Sequence, residues 1–233
     1  MNGISIFHGS DHIVEHPTRT GGKIHNDFGQ GFYCTTDLEL AREWACSWDA
    51  PDNKHEAIVN HYSLEPSIPL SICHMSAPDY HVLNWLALLL KNRHFDVKEP
   101  LPAGIKDYIL ENFLPDVSSY DILVGYRADD SYFNIASSFL RGAISLEHLG
   151  KALKLGNLGE QYFLQSERAF EALTLITFQS VDFPLYYARR MKRDRDAREA
   201  FRKMKTSNKN WTEGTFALDI VRGQWRNNDA RLR

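Results

Sequence analysis

Short apolar runs at strand period are scattered along this 233-residue chain with unequal numbers of helical stretches between them, and that spacing limits the fold. A doubly wound parallel sheet needs one crossover helix for each strand. Here the run at 4–9 is stopped by Gly9, and polar sequence leads directly to a second strand candidate at 32–36. Asp37 caps a helix on which Leu38, Ala41, Trp44, Ala45 and Trp48 recur at helical spacing. A strand at 57–64 ends before Pro66 and Pro69, and two helices then follow in succession, at 79–95 and 105–113. A strand at 120–125 precedes helices at 135–141 and 146–155, the second capped by Ser145. The strand at 161–165, a short helix capped by Ser166 and a last strand at 175–178 complete the pattern. Without βαβ alternation the expected class is α+β.

Beyond Pro184 the texture changes to small, basic and aromatic residues at helical period, with a turn and helix at 214–222. Residues 189–233 hold 14 Lys+Arg against 6 Asp+Glu, a net of +8, while 1–188 hold 13 against 24, a net of −11. The chain therefore divides into a body at 1–183 and a basic helical extension at 184–233. That extension has three candidate docking surfaces: its own body, an acidic partner or nucleic acid.

Three cysteines, Cys34, Cys46 and Cys73, without CxxC spacing, point away from a disulfide framework and towards a reducing compartment. The ten histidines form no HExxH or zinc-finger pattern, so no metal is expected. Met1 to Ser10 lacks a basic segment followed by an apolar stretch, and the greasiest run, near Val82 to Leu90, is too short for a membrane span. The expectation is a cytoplasmic protein with no membrane contact.

Two segments carry the chemistry. Phe7-His8-Gly9-Ser10 ends the first strand, and Asp27-Phe28-Gly29-Gln30-Gly31-Phe32-Tyr33-Cys34 runs into the second. Glycine lets a ligand reach main-chain N–H and C=O groups, as a carboxamide requires. A neighbouring histidine can bond a ribose hydroxyl, and a tyrosine can cover a flat ring. Each residue also has a structural reading: His8 as a strand-end histidine, Tyr33 and Trp44 as core aromatics, Asp129-Asp130 as a turn and cap, Glu160 as a solvent-facing acid.

In order and type these motifs resemble the ADP-ribosyltransferase superfamily, in its diphtheria-toxin and poly(ADP-ribose) polymerase branch. His8-Gly9-Ser10 and Gly29-Gln30-Gly31-Phe32-Tyr33 match that branch, and the chain looks closest to a bacterial family within it. The stretches Tyr120 to Asp130 and Gln161 to Ala169 carry that closer likeness. The resemblance implies a split β-sandwich core that binds NAD, with helical insertions. It implies that His8 holds the nicotinamide-side ribose, Gly9 the carboxamide and Ser10 that end's orientation. Tyr33 would stack on the ring, with Trp44 as a second stacking partner, and Phe28 and Gly31 complete the NAD-binding set. Ala41 stands where polymerase relatives have a serine.

Where the family's catalytic glutamate opens a later strand, this chain has Gln161-Tyr162 preceded by Glu160. The resemblance implies that Gln161, with or without Glu160, holds the nicotinamide ribose. An amide bonds it but cannot offset developing positive charge, whereas Glu160, on an adjacent strand position, points to the other face unless a bulge or one-residue shift brings it in. Asp130 or Asp129 would serve as a base towards an acceptor. The resemblance thus implies transfer of ADP-ribose from NAD to a protein or nucleic acid, as in a toxin with an antitoxin partner or a phage-defence effector. NAD hydrolysis and a non-catalytic NAD- or partner-binding module are the alternatives. All of these require His8-Gly9 and Tyr33 to wall one cleft.

Overall fold

The computed structural model describes residues 3–47, 56–65, 67–76, 78–128, 131–155, 159–207 and 214–232. The sequence-read features at Trp48, Pro66, Asp129 and Asp130 lie outside the described residues. In chain order the elements are β1 (Ile4–Ser10), β2 (Phe32–Cys34), α1 (Leu38–Ala45), β3 (Ile58–Leu64), β4 (Ile72–His74), α2 (Val82–Asn92), α3 (Pro100–Phe113) and β5 (Ile122–Tyr126). There follow α4 (Ser131–Leu140), α5 (Leu146–Ala152), β6 (Glu160–Leu164), α6 (Glu167–Glu171), β7 (Leu173–Ser180), α7 (Phe183–Ser207) and α8 (Ala217–Arg222). The class is α+β.

The strands form two sheets. One is antiparallel with order β1-β3-β7, and the other has order β2-β6-β5-β4, antiparallel except for the parallel pair β4 and β5. Alternation along the strands separates the cores, because successive side chains leave opposite faces. Ile6, Phe32, Cys34, Tyr62, Ile122, Val124 and Leu164 fill the space between the sheets. From the intervening positions, Tyr33, Leu123 and Phe163 enter a larger core with Leu83, Leu86, Ile109, Phe139 and Ile220, under the helices. A third, small-residue core of Ala41, Ala45, Ala57 and Val59 joins α1 to the outer face of the first sheet.

The helix starts follow their caps. The side chains of Asp37, Ser145 and Ser166 accept from the N–H groups of Leu40, His148 and Ala169. Each such cap is worth about 1 kcal/mol. The basic α7 docks on the acidic body through α1. Arg193 Nη2 lies 2.7 Å from Glu43 Oε1, Arg189 Nη1 lies 2.7 Å from Glu39 Oε2, and Arg190 donates to the Cys46 carbonyl at 3.2 Å. The charge asymmetry of the sequence is thereby neutralised, at least in part, inside the molecule. Among the described residues no helix is long and apolar enough to cross a membrane.

Candidate functional site

The two sheets touch through a bridge between β1 and the end of β2. Phe7 N–H donates to Thr35 O at 2.7 Å, and Thr35 N–H returns to Phe7 O at 2.9 Å. In an antiparallel ladder, groups two residues apart point the same way. Gly9, paired with Val59 on β3, therefore turns its own N–H and C=O to the side on which Phe7 meets Thr35. The pairing with β2 stops before reaching it. The carbonyl of Tyr33, which would continue the bridge, accepts instead from the His8 ring, with Nδ1 at 2.7 Å. The sheets split here, and a main-chain donor and acceptor face the split.

A carbonyl only accepts, so this contact makes His8 Nδ1 the protonated nitrogen and leaves Nε2 as a lone-pair acceptor. Burial pulls the His8 pKa down from 6.5 to about 4, against the opposing effect of the Tyr33 carbonyl. The imidazole is therefore neutral near pH 7. Its ring lies against Phe32, with centroids 4.4 Å apart.

Gly9 is glycine for a second reason. A Cβ there would fall 2.1 Å from Ala41 O and 2.4 Å from Ala45 N, so α1 packs directly on its backbone. This sets the Trp44 main chain beside Gly9. The indole is buried, its Nε1 has no hydrogen-bond partner, and the Arg127 guanidinium lies 4.1 Å over its ring. Arg127 N–H also reaches Gly159 O at 3.4 Å, which sets the end of β5 beside the start of β6.

The remaining predicted residues divide between two faces. Tyr33 supplies its carbonyl to His8, but its ring leaves β2 on the side opposite Phe32 and packs 4.9 Å from Phe163. The phenol donates to Gly29 O at 2.7 Å and accepts from Phe28 N–H at 3.0 Å. Burial raises its pKa further above the ordinary value. Tyr33 and His8 thus adjoin through backbone, and their rings do not share a wall. The expected cleft with the Tyr33 ring stacked on a pyridine is not formed, because alternation along β2 sends that ring into the helix-side core. Phe28 belongs to the same helix-side core. Gly31 is demanded by packing, since a Cβ would meet the Phe163 ring at 2.3 Å, and Gly29 by its φ of +102°. Ser10 donates to His12 O at 2.5 Å and accepts from Asn60 Nδ2 at 3.0 Å, which helps satisfy the fully buried Asn60.

Gln161 lies on the face of β6 shared with Phe163. It is 3% exposed, and its Nε2 donates to Asp27 Oδ2 at 2.7 Å and to Tyr126 O at 3.2 Å. The same aspartate, 1% exposed, accepts from Arg93 Nε at 2.6 Å and Ala128 N–H at 2.7 Å. Gln161 is therefore one strut of a closed polar network. Glu160, by alternation, shares its face with Tyr162 and Leu164, which belong with Phe32 between the sheets. No register shift interrupts β6 against β5, where Glu160 pairs with Tyr126. Burial, and secondarily the Glu160 charge, hold the Tyr162 phenol above its ordinary value. The carboxylate and not the amide thus lies on the side of β6 that faces His8's neighbour Phe32.

Asp27, Arg93, Asn60 and Arg127 were not singled out from sequence. Asp27 stood inside the glycine segment, but nothing in the sequence announces that three donors converge on it. The described residues bring together His8, Gly9, Trp44 and Arg127 at the split. They send Tyr33, Phe28 and Gln161 into the core.

No curated protein and no solved structure matches the chain. The family described as "Protein of unknown function (DUF3990)" matches residues 4–175, from the first strand to the start of β7, and so takes in both faces of the site. The chain belongs to that DUF3990 family.

Proposed function

We propose that the protein is an NAD-dependent ADP-ribosyltransferase of split β-sandwich type, working at the split beside Gly9 with Trp44 in place of Tyr33 as the aromatic wall. The observation that carries this reading is the pair of Gly9 main-chain groups turned into the split, next to a neutral histidine whose Nε2 is an acceptor. One donor and one acceptor from a single residue complement a carboxamide, and an acceptor nitrogen complements a ribose hydroxyl. The buried Trp44, with an unpartnered N–H and a cation already on its face, is suited to a positively charged pyridine ring. When NAD is bound, its ring would replace the Arg127 guanidinium on the indole.

In this reading Glu160 supplies the negative charge that offsets the cation developing on ribose as nicotinamide leaves. Gln161 acts behind it as a positioning residue, holding β6 through Asp27. A cytoplasmic toxin or phage-defence effector, with an antitoxin partner, fits this chemistry. The acceptor is a protein in preference to nucleic acid, because Arg189, Arg190 and Arg193 are already engaged with α1 and the chain that follows it. Incubation with adenylate-labelled NAD and cell lysate tests the proposal. Nicotinamide release with label on a macromolecule is expected; neither appearing would refute it.

A second reading, a non-catalytic module that holds NAD or a partner, is favoured by the burial of the Gln161 amide in the Asp27 network. Calorimetric binding of NAD without turnover, unchanged by Glu160→Gln, would select it. NAD consumption without labelled macromolecule would select hydrolysis.

A further inference from the structure

At the end of the second sheet where β4 and β5 finish there is a cavity of about 320 Å³, distinct in its lining from the split. β4 and β5 are that sheet's parallel pair, and both carboxyl ends open on it, at Met75 and Tyr126. Its volume falls within the range of about 300–1,000 Å³ typical of small-molecule sites.

The lining has two chemical characters. Tyr80 and Tyr126, both half-buried, supply aromatic surface, and Trp85, buried at 3% exposure, donates Nε1 to Tyr126 O at 3.1 Å. Lys151 and Lys154, three residues apart on and just after α5, supply two positive charges. Neither lysine has an ion-pair partner among the described residues. Glu147 also lines the cavity, and its carboxylate accepts from Thr215 N–H at 3.4 Å. A lining with aromatic walls, two ammonium groups and one carboxylate keeps a net positive charge, and calls for a planar ring that carries an anion.

We propose that this cavity binds a nucleoside monophosphate, its base against Tyr80 and Tyr126 and its phosphate between Lys151 and Lys154. The aromatic surfaces contribute stacking, and the lysines contribute charge-assisted hydrogen bonds to phosphate oxygens. The competing account is that the two lysines merely complement the carboxyl end of α5. That account predicts no ligand.

The site stands independently of the NAD reading, because none of the residues at the split lines the cavity. AMP is itself one half of NAD, so loss of binding on changing Lys151 and Lys154, which lie outside the split, separates the two sites. Isothermal calorimetry with AMP, GMP, CMP and UMP tests it, with adenosine and inorganic phosphate as the two halves of the ligand. At least one monophosphate is expected to bind, with each half weaker by about tenfold or more. The double variant Lys151→Ala/Lys154→Ala should weaken binding by about tenfold or more and remove its salt dependence. Gly150→Leu provides a second, independent block. Gly150 lines the cavity, and a Cβ there meets nothing within 4 Å, so the side chain can fill the space while the helix is kept. Circular dichroism confirms that both variants fold. Failure of all four monophosphates to bind would overturn the proposal. So would adenosine or phosphate alone binding as tightly as the best monophosphate, or binding that survives both variants.

Discussion

Glu160 and Gln161 are neighbours on one strand, yet they sit in opposite chemical circumstances. Gln161 faces the helix-side core, where Asp27 collects hydrogens from Gln161, Arg93 and Ala128 and is almost wholly buried. Glu160 faces the space between the sheets, half-buried and beside Tyr162. A buried polar network is costly to break once its members depend on one another, whereas a group left unpaired is free to act on a ligand. The same distinction separates Tyr33, with both hydrogen-bonding capacities of its phenol used, from Trp44, with its N–H unused. One face of the second sheet is thus built for rigidity, and the edge at the split is where unsatisfied groups gather.

The largest effect expected from this contrast is on Asp27. Asp27→Ala strands the Arg93 guanidinium, the Ala128 N–H and the Gln161 amide together, and should cost about 3–5 kcal/mol of stability in urea denaturation. A loss below about 1 kcal/mol would break the comparison at its root. The next effect is a crossed pattern at the two neighbours. Glu160→Gln should lower NAD turnover by about 10²–10³-fold while leaving the unfolding midpoint nearly unchanged. Gln161→Ala should do the reverse, costing about 1–3 kcal/mol of stability as buried partners lose their hydrogen bond. Measuring both variants in both assays sharpens the assignment. If Gln161→Ala abolishes turnover without loss of stability, the amide and not the carboxylate is the group at the ribose.

His8 gives a smaller effect with a definite sign. Its folded-state pKa, about 4, lies below the ordinary 6.5. Between those values the unfolded chain takes up a proton that the folded chain refuses, so stability is full above 6.5 and falls as pH drops through the window. At pH 5 the expected loss from this group is up to about 2 kcal/mol. His8→Asn keeps a donor for Tyr33 O but does not titrate, so the variant should gain on the parent as pH falls from 7 to 5. Parallel denaturation curves with no pH-dependent gap would show that His8 is not sequestered.

Much of this was legible in the sequence. The strand and helix sites at β1, β2, α1, β3, β5 and β6 follow from apolar period, and Asp37, Ser145 and Ser166 cap as read. β4 was missed because three residues cannot establish an alternation, and a parallel partner 50 positions away leaves no local mark. α3 begins at Pro100, earlier than the apolar pattern from Ile105, because proline is tolerated in a helix's first turn. His8, Gly9 and Trp44 of the candidate site stand in segments that the sequence singles out, but the face that the Tyr33 ring takes depends on the helices packed beneath. The close approach of α1 to Gly9 and the Arg127 contact with Trp44 are tertiary facts with no sequence period.

The contrast between sealed and open polar groups recurs on α7, where two arginines four residues apart grip α1 differently. Arg193 pairs with Glu43, whose side chain is 7% exposed, while Arg189 pairs with Glu39, whose side chain is 51% exposed. Removing Arg193 leaves a carboxylate buried without its cation, and a loss of a few kcal/mol is expected. Removing Arg189 leaves Glu39 with Arg42 and the Tyr186 hydroxyl, both of which already bond it, and with water. The lost contacts are one exposed ion pair and a cation resting 4.9 Å over the Tyr186 ring. Arg189→Ala should therefore cost at most about 1 kcal/mol, and the difference from the parent should shrink further in high salt, which screens the pair. A larger loss that salt does not reduce would mean that Arg189 holds α7 by packing its stem on Tyr186, and that exposure is a poor guide to which polar contacts on this helix matter.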